Sequence, residues 1–326
     1  MAGRALAVLV LAAGEGTRMR SALPKVLHEA AGRPLLGHVL AAARALRPER
    51  LLVVVGHGGE AVRARFADAG VDFVEQSRPR GTGDALLSAG GALRDFRGSL
   101  LVLYGDQPLV TAPTLEALVG EQQRLGGAVM LSYEVDEPFG LGRVVRGAGD
   151  EVLRVVEEKD ASAEERAIKE VYPGAICFDE AVFELARELS DDNVAGEYYL
   201  TDMVELYRRS ERGLHVYRAE DDMRRLIGVN TRAELARAEA LLRARTRARW
   251  LDAGVTMHAP ESTFIDDEVT LARDVVLEPG VLLRGRTRVG EGARVGAYAV
   301  LDGCTVAPGA RVPPHTRAEG ETFPGA

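Results

Sequence analysis

The stretch LAVLVLAAGEGTRMRSALPKVLHEAAGRPLLGHVL, residues 6–40, joins an apolar run to a glycine turn, a basic segment and a second apolar run. Its first part, behind Arg4, is similar to a short secretory leader that ends in small residues. The run is too short to span a membrane. Because cleavage there would also remove a run with the composition of a first strand, we interpret these residues as part of the folded protein.

The overall composition indicates a globular protein with room for a full core. The chain has 326 residues, 46% of them hydrophobic and 28% charged, which suggests one large domain and one smaller domain. A net charge of −8 argues against binding a long nucleic acid, but a local basic site for a small phosphorylated ligand is compatible with it. Cys177 and Cys304 lie far apart, so neither a disulfide framework nor a zinc site is indicated. We therefore expect a cytoplasmic protein with no nucleic-acid or membrane partner.

Lysine is scarce in this chain. Of 41 basic residues, only Lys25, Lys159 and Lys169 are lysine. Arginine presents a wide planar fork, whereas lysine presents a compact charge on a thin stem, so a tight phosphate pocket can require lysine. A lysine retained against this trend is informative about function.

Apolar, β-rich runs alternate with helical patterns over the first 125 residues. The predicted strands are 5–12, 51–55, 71–75 and 99–104, and the predicted helices are 34–46, 59–68, 83–94 and 112–124. This alternation is typical of an α/β fold with a doubly wound, mostly parallel sheet. Shorter strands are predicted at 128–135, 143–146, 152–157 and 171–177, which we interpret as a substrate-binding extension of that sheet.

A helix and a six-residue repeat follow. Thr231 to Glu234 form a capping-box pattern, which predicts a helix to about Trp250 with Gly254 as its stop. From residue 263, aliphatic residues recur every six positions, with glycine or proline between many of them. The third positions of the eight hexads are Ile265, Leu271, Leu277, Leu283, Val289, Val295, Leu301 and Ala307.

This period is typical of a left-handed parallel β-helix, in which each hexad forms one side of a triangular coil. The alternative is a set of irregular strands. Eight hexads make fewer than three coils, so we expect the prism to pack against the other domain or against sister subunits. The predicted organisation is a sheet domain over 1–230, a linker helix over 231–253, and a short β-helix with a tail over 254–326. A homo-oligomer is expected, with a trimer favoured by the β-helix.

The glycine turn after the first strand points to a nucleotide site, because ligands of doubly wound folds bind where such strands end. The dinucleotide fingerprint would need a third glycine where Met19 stands, and a P-loop would place lysine directly after its second glycine. Neither template fits. A turn with free backbone N–H groups, followed by Arg18 and Lys25, suits a polyphosphate. The alternative is an ordinary turn with surface arginines.

Asp106 ends a second apolar strand, in the motif YGDQP. Its carboxylate should emerge at the same edge of the sheet as the glycine turn. There it is a candidate metal ligand or, alternatively, the cap of a turn before Pro108.

Several motifs together resemble one enzyme family. LAAGEGTRM and PKVLH are followed in order by VVVGHGGEAV, EQSRPRGTGDAL, LVLYGDQPL, GLGRVVR, VVEEKDAS, GEYYLTD and LIGVNTRAEL. This series resembles the sugar-nucleotide pyrophosphorylases, and in particular the N-terminal half of the bifunctional N-acetylglucosamine-1-phosphate uridylyltransferase/glucosamine-1-phosphate acetyltransferase family. The resemblance covers most of the chain. It implies a Rossmann-like nucleotidyltransferase sheet and the Mg²⁺-dependent transfer of UMP from UTP to a sugar 1-phosphate.

The resemblance also implies residue roles. Arg18 and Lys25 would act on the triphosphate, and Asp106 with Asn230 would hold the Mg²⁺ ion. The implied nucleotide-binding residues are Leu11, Ala12, Ala13, Gly14, Gln76, Gly81, Thr82 and Asp106, and the implied sugar-binding residues are Gly142, Glu157, Tyr172 and Asn230. A planar amide such as that of Gln76 can pair with an imide edge through one donor and one acceptor. The attacking phosphate is already an anion, so no general base is required, and His28, His38 and His57 are interpreted as packing or surface residues.

The chain departs from the family pattern in two places. Tyr172 stands where the family has a sugar-binding asparagine, so N-acetylglucosamine 1-phosphate is favoured, but glucose 1-phosphate or another hexose 1-phosphate is also open. Lys159 either lies near the sugar or pairs with Glu157 or Glu158. The residues that would bind acetyl-CoA have no counterparts in these hexads, and His315 alone does not make an acyltransferase, so no acetyltransferase activity is expected.

Two alternatives remain for the function. One is a nucleotidyltransferase for another base, although Gln76 and the GTG at 81–83 favour uracil or thymine over purines. The other is a non-catalytic regulatory subunit that binds sugar nucleotides, against which the retention of Arg18, Lys25, Asp106 and Asn230 argues.

Overall fold

The computed structural model describes residues 4–219 and 228–325, which form two compact units. Counting only the described residues, the first unit comprises residues 4–28, 35–219 and 228–231, and the second comprises residues 29–34 and 232–325. Leu226 and Ile227, the first residues of the LIGVN motif, lie outside them. No described helix is both long and apolar enough to cross a membrane. Cys177 and Cys304 are both free thiols and both buried.

The first unit is built on one large sheet. Its strands are β1 (Leu6–Ala12), β4 (Arg50–Val55), β5 (Asp72–Glu75), β6 (Ser99–Tyr104), β7 (Ala128–Glu134), β8 (Gly142–Arg146), β9 (Val152–Val156), β10 (Glu170–Tyr172), β11 (Ala175–Phe178) and β12 (Leu214–Arg218), and residues 29–34 supply β2 and β3 of the second unit. Its helices are α1 (Leu35–Ala45), α2 (Gly59–Arg65), α3 (Thr82–Ser88), α4 (Ala112–Leu125), α5 (Ala163–Arg166), α6 (Val182–Leu185) and α7 (Met203–Arg209).

The first half of this sheet has the predicted parallel arrangement. Its strand order is β5-β4-β1-β6, and all four strands are parallel. Every residue of β1 is buried, as expected for a central strand covered on both faces. The chain moves outward from β1 to β5 and then returns to β6 on the other side. This reversal leaves a crevice beyond the carboxyl ends of β1 and β6, where ligands of such sheets bind.

The second half makes the sheet mixed, because β11 lies antiparallel between β6 and β7. The single predicted strand 171–177 is wrong: it is split into β10, which pairs with β7 and β8, and β11, which pairs with β6 and β7. Pro173 has no N–H to donate and Gly174 has a φ of 98°, so the chain turns at this point. The predicted helix 83–94 also ends early, at Ser88, before Gly90 and Gly91, which are poor helix formers.

The second unit begins with α8 (Arg232–Asp252). Gly254 has a φ of 88°, and the next N–H, from Val255, donates to the carbonyl of Trp250. This is the Schellman ending that only a residue tolerant of the left-handed region accepts readily. The predicted stop at Gly254 is therefore confirmed.

Three parallel sheets of four short strands each follow, and they form the predicted left-handed parallel β-helix. The strands are β13 (Thr256–Met257), β14 (Phe264–Ile265), β15 (Thr270–Leu271), β16 (Val276–Leu277), β17 (Leu282–Arg284), β18 (Arg288–Val289), β19 (Arg294–Val295), β20 (Val300–Asp302), β21 (Thr305–Val306), β22 (Arg311–Val312), β23 (Arg317–Glu319) and β24 (Thr322–Phe323). The sheet orders are β13-β16-β19-β22, β14-β17-β20-β23 and β15-β18-β21-β24. Each strand contributes one residue to a shared apolar core.

The expectation of fewer than three coils is wrong, because each sheet has four strands and the pairing continues to Phe323. Val289 pairs with Val306, so Val306 is buried in the core where the hexads place Ala307. The corner after Leu301 is one residue shorter than the hexad, and this shift hides the last coil from a strict six-residue period. The sequence also did not predict β13, the first strand of the β-helix. Here the spacing is longer than six residues, because a 3₁₀ turn at Pro260–Ser262 lies between β13 and Ile265.

The hairpin of β2 (Glu29–Ala30) and β3 (Arg33–Pro34) also belongs to the second unit. The Ala31 N–H donates to the carboxylate of Glu239 on α8, and the Ala31 carbonyl accepts from the N–H of Asp267 at 2.9 Å. Arg33 forms an ion pair with Asp267 at 3.0 Å. Ala31 and Arg33 of this hairpin are thus bonded to residues that follow more than 200 positions later in the sequence.

Candidate functional site

The candidate site is a cavity of about 580 Å³ in the first unit, at the carboxyl ends of β1 and β6. The lining includes every residue that the sequence assigns to catalysis, nucleotide, sugar or metal. These are Leu11, Ala12, Ala13, Gly14, Arg18, Lys25, Gln76, Gly81, Thr82, Asp106, Gly142, Glu157, Tyr172 and Asn230. Residues far apart in sequence are therefore brought together, while their individual roles stay predictions.

The glycine turn positions Lys25. Gly16 has a φ of 64°, and a Cβ placed on it would lie 2.6 Å from the Cβ of Lys25. The absence of a side chain at Gly16 therefore lets the lysine stem pass against the turn. Met19, where a dinucleotide fingerprint would need glycine, is instead buried and anchors the turn. Arg18 is exposed and belongs to the cavity lining.

The ammonium of Lys25 joins the two predicted metal ligands. Its Nζ donates to Oδ2 of Asp106 and, at 2.8 Å, to Oδ1 of Asn230. The N–H of Val229 donates to the carbonyl of Asp106 at 2.9 Å, which fixes the backbone before Asn230 beside the end of β6. The side chains of Lys25 and Asp106 are only 13% and 15% exposed, so this charge pair is poorly screened by water.

This group of oxygens fits a hard cation. Asp106 Oδ1 is buried and has no hydrogen-bond partner among the described residues. The amide oxygen of Asn230 faces the same ammonium, so carboxylate and amide oxygens already surround one positive charge. No group of three or more His, Cys, Asp or Glu side chains in the described parts of the chain could hold a metal. A cation with few protein ligands, completed by phosphate oxygens and water, is the kind this pair suits.

Gln76 is buried at the start of the segment after β5. Its Nε2 donates to the carbonyl of Gly81 at 3.0 Å and to the carboxylate of Asp84 at 2.7 Å. Both hydrogens of the amide are therefore engaged. The expectation that this amide offers a ligand one donor and one acceptor is wrong in this respect, since only the acceptor Oε1 is left.

Gly142 and Glu157 lie next to each other, on β8 and just after β9. A Cβ on Gly142 would lie 2.8 Å from Cγ1 of Val155, so the packing against β9 leaves no room for a side chain, and 3.8 Å from the Glu157 carboxylate, an ordinary contact distance. Thr201 donates to Glu157 at 3.0 Å. Burial, together with the charges of Asp202 and other neighbouring acids, raises the pKa of Glu157 despite this hydrogen bond.

Tyr172, at the end of β10, is 5% exposed. Its ring packs edge to face against Tyr104, with centroids 6.4 Å apart. Burial, followed by the nearby Tyr104 and Glu157, raises the pKa of its hydroxyl well above the ordinary value. Within the described residues, that hydroxyl forms no hydrogen bond of normal geometry. A buried polar atom without a partner, in the wall of a cavity, is a candidate contact for a ligand.

Sequence reasoning missed several residues of this wall. Tyr104 and Gln107 line the cavity, and the Gln107 amide donates to the carbonyl of Pro173, which holds the turn after β10. Both belong to the YGDQP motif, which could have pointed to them. Glu197, in GEYYLTD, also lines the cavity.

Neither alternative proposed for Lys159 is observed. Lys159 is exposed and is not part of the cavity lining. Glu158 contacts Arg143 at 2.5 Å and Arg166 at 3.6 Å instead. The buried Arg143 therefore provides the positive charge that pairs with Glu158, and Lys159 is not needed for this role.

Comparisons with known proteins identify the family of the chain. Residues 8–253 match the model of a family described as the MobA-like NTP transferase domain. A "Bifunctional protein GlmU" of Thermus thermophilus is 49% identical over 98% of this chain and 70% of its own length. Proteins with the same description from Syntrophotalea carbinolica and Cupriavidus necator are 43% and 44% identical, over 97% and 94% of this chain and 68% and 67% of their own lengths.

Proposed function

The chain belongs to the MobA-like NTP transferase family and to the family of the bifunctional GlmU proteins, and on that premise we propose that it transfers UMP from UTP to a sugar 1-phosphate. At the coarser level it is a sugar-1-phosphate nucleotidyltransferase. N-acetylglucosamine 1-phosphate is the acceptor we favour, which gives UDP-N-acetylglucosamine and pyrophosphate.

One observation carries this proposal. The contact of Lys25 with Asp106 and Asn230 lies in the same cavity as Gln76, whose acceptor is left for a base, and Glu157, which we assign to the sugar. A binding module would need the last two features. It would not need a partly buried lysine held against a carboxylate, which is an arrangement suited to charge on a polyphosphate.

The reaction is a displacement at phosphorus. An oxygen of the sugar 1-phosphate attacks the α-phosphorus of UTP, a new P–O bond forms, and the bond to the β-phosphate breaks to release pyrophosphate. Because the nucleophile is already an anion at neutral pH, no side chain has to remove a proton. The chain's contribution is alignment of two phosphates and neutralisation of charge on the leaving group by Lys25 and Arg18.

Mg²⁺ is the metal we propose for the oxygens of Asp106 and Asn230. When bound, it would offset negative charge on the phosphates. The support is the donor set itself, two oxygen ligands with one buried carboxylate oxygen left without a partner in the described chain. Soft or nitrogen-preferring metals would not select such a pair.

The first experiment is pyrophosphate release by the purified protein with UTP and Mg²⁺. The acceptors to compare are N-acetylglucosamine 1-phosphate, glucose 1-phosphate and glucosamine 1-phosphate. We expect release with UTP and the highest kcat/KM for the N-acetylated sugar. Preference for another hexose would transfer the assignment to that sugar and make Tyr172 its determinant, and no release with any acceptor would contradict the proposal.

Three further expectations accompany it. We propose a cytoplasmic homo-oligomer, with the trimer favoured, and its mass in solution can be measured by light scattering. The absence of acetyl transfer stays a prediction, which acetyl-CoA binding by calorimetry would contradict.

A further inference from the structure

Asp84 is a residue that none of the above assigns to function. It is the third residue of α3 and is partly buried beside Gln76. Its Oδ2 accepts a hydrogen from the Gln76 amide at 2.7 Å. A carboxylate in the first turn of a helix is stabilised by the helix dipole, so a purely structural role is the alternative that the test has to separate.

The two neighbours of the Gln76 amide leave it only one orientation. The carbonyl of Gly81 and the carboxylate of Asp84 act as acceptors toward this amide. If the amide were turned over, its oxygen would face two other oxygens. The NH₂ must therefore point toward Asp84 and Gly81, whatever approaches the other side.

The remaining atom, Oε1, is the part of Gln76 left for a ligand. Among the described residues, none donates a hydrogen bond to Oε1. The atom is also not fully buried, so a ligand can reach it. Gln76 lines the cavity. What Gln76 presents is therefore a fixed acceptor.

We propose that Asp84 is a positioning residue for base selection: by holding the Gln76 amide in one orientation, it makes the site require a base with a ring N–H at this point. Uracil carries N3–H and meets this requirement. Cytosine has an unprotonated N3, whose lone pair would face the lone pairs of Oε1. The inference rests on the proposed function, because it concerns the base of the same nucleotide.

The test is the UTP-over-CTP ratio of kcat/KM in the wild type and in Asp84→Asn. An asparagine can turn either its oxygen or its nitrogen toward Gln76, so the amide is no longer forbidden to rotate and to offer NH₂ to cytosine. Because the Gly81 carbonyl still accepts, we expect a partial effect, a fall of the ratio by about tenfold. Asp84→Ala, which removes the acceptor altogether, should lower the ratio at least as far.

Glu60→Gln is the matched control, since Glu60 is an exposed carboxylate in the first turn of α2 and lies outside the cavity. It should leave the ratio unchanged. An unchanged ratio in both Asp84 variants would overturn the proposal, as would equal losses with UTP and CTP, because helix stabilisation alone acts on both nucleotides alike.

Binding of UTP and CTP, measured by calorimetry on the same proteins, separates this inference from the proposed function. If the wild type prefers UTP in binding but releases no pyrophosphate, the proposed reaction fails while the role of Asp84 is still measured. If the wild type turns over UTP and the variants keep its base preference, the role of Asp84 fails and the reaction stands.

Discussion

The two sides of the cavity are built differently. On the side that we assign to the nucleotide, most polar side-chain atoms are paired: Lys25 is bonded to two oxygens, and the Gln76 amide uses both of its hydrogens. The exception is the buried Oδ1 of Asp106, which we assign to the metal. On the side that we assign to the sugar, around Glu157 and Tyr172, hydrogen bonds offset less of the cost of burying polar groups. The Tyr172 hydroxyl has no hydrogen bond of normal geometry within the described residues, and the pKa of Glu157 is raised by burial.

We interpret this difference as a division of roles: one set of residues handles the nucleotide in every reaction of the family, and the other set selects the sugar acceptor. In the reaction that we propose, handling UTP requires a fixed charge and a fixed acceptor, which Lys25 and Gln76 present in the free protein. A site that selects a sugar can contain polar atoms whose hydrogen bonds are completed only when the sugar hydroxyl groups bind. The sugar side is also where the sequence departs from the family, at Tyr172. The following changes test this comparison, beginning with the largest expected effect.

Replacing Asp106 by asparagine should have the largest effect on the nucleotide side. The amide keeps the shape of the side chain but removes the charge that we assign to the metal and that contacts Lys25. We expect turnover to fall by about 10² to 10³, the range for losing one preorganised charge contact. Pyrophosphate release over a range of Mg²⁺ concentrations measures the change. The matched Asp95→Asn, an exposed aspartate, should retain activity. Full activity in Asp106→Asn would exclude the metal assignment.

Lys25→Arg should show whether the charge or its shape matters. The wide guanidinium must pass the closely packed turn at Gly16, so we expect kcat/KM for UTP to fall by roughly a hundredfold. Lys169→Arg is the control, because the Lys169 side chain is 62% exposed and forms a surface ion pair with Asp136 at 3.6 Å. Equal activity of both variants would mean that Lys25 supplies only a general positive charge.

Tyr172→Phe removes a buried hydroxyl that forms no hydrogen bond of normal geometry within the described residues. In the free protein we expect the variant to be more stable by about 1 kcal/mol, because burying an unpaired polar group costs about 1 to 3 kcal/mol. For a unit of this size, that corresponds to a rise in the unfolding temperature of roughly 2 to 4 °C. Thermal unfolding without ligand measures it. A less stable variant would mean that the hydroxyl is already satisfied.

The same variant should bind its sugar 1-phosphate less well. If the substrate provides the missing hydrogen bond, kcat/KM for the sugar should fall by about three- to tenfold while KM for UTP is unchanged. Steady-state kinetics with each substrate varied in turn measures both values. A change in KM for UTP alone would contradict the assignment of Tyr172 to the sugar and would assign it to the nucleotide instead.

Asp202→Asn should give the smallest effect, and one that depends on pH. Burial, followed by the charges of Glu205 and Asp160, raises the pKa of Asp202 to about 6. The folded protein thus holds this proton more tightly than the unfolded chain, and the charged form costs stability above pH 6. With a discount for its partial exposure, we expect the variant to be more stable by about 1 kcal/mol at pH 7 to 8.

This advantage should fade as the pH falls through 6 and disappear below about pH 4, where Asp202 is protonated in both states. Unfolding by denaturant at several pH values measures it. A constant difference between the two proteins would show that titration of Asp202 is not the cause.

The sequence predicted most of what depends on local pattern. The strand β1 was identified from an unbroken apolar run, and Lys25 from its rarity among arginines. Lys159 and Lys169 are the other two lysines, but both lie exposed on the surface. The rarity of lysine therefore did not predict which lysine lines the cavity. What distinguished Lys25 was its place behind the glycine turn.

The sequence failed where spacing or partners decide. The period of six does not reveal the shortened corner before Val306, because a corner can lose a residue without altering the pairing of the strands on either side. The break at Pro173 was masked by apolar residues on both sides. The orientation of Gln76 depends on Asp84, which belongs to the same EQSRPRGTGDAL motif, but the motif alone does not show that the two side chains meet.

The hairpin at residues 29–34 has a consequence for how the protein is made. The hydrogen bond from Ala31 to Glu239 spans 208 positions of the chain. At a synthesis rate of about 5 to 20 residues per second, the hairpin leaves the ribosome roughly 10 to 40 s before the helix it binds. During that interval water must solvate Arg33 and the Ala31 N–H, so this hairpin can dock against its partner only after 208 further residues have been synthesised.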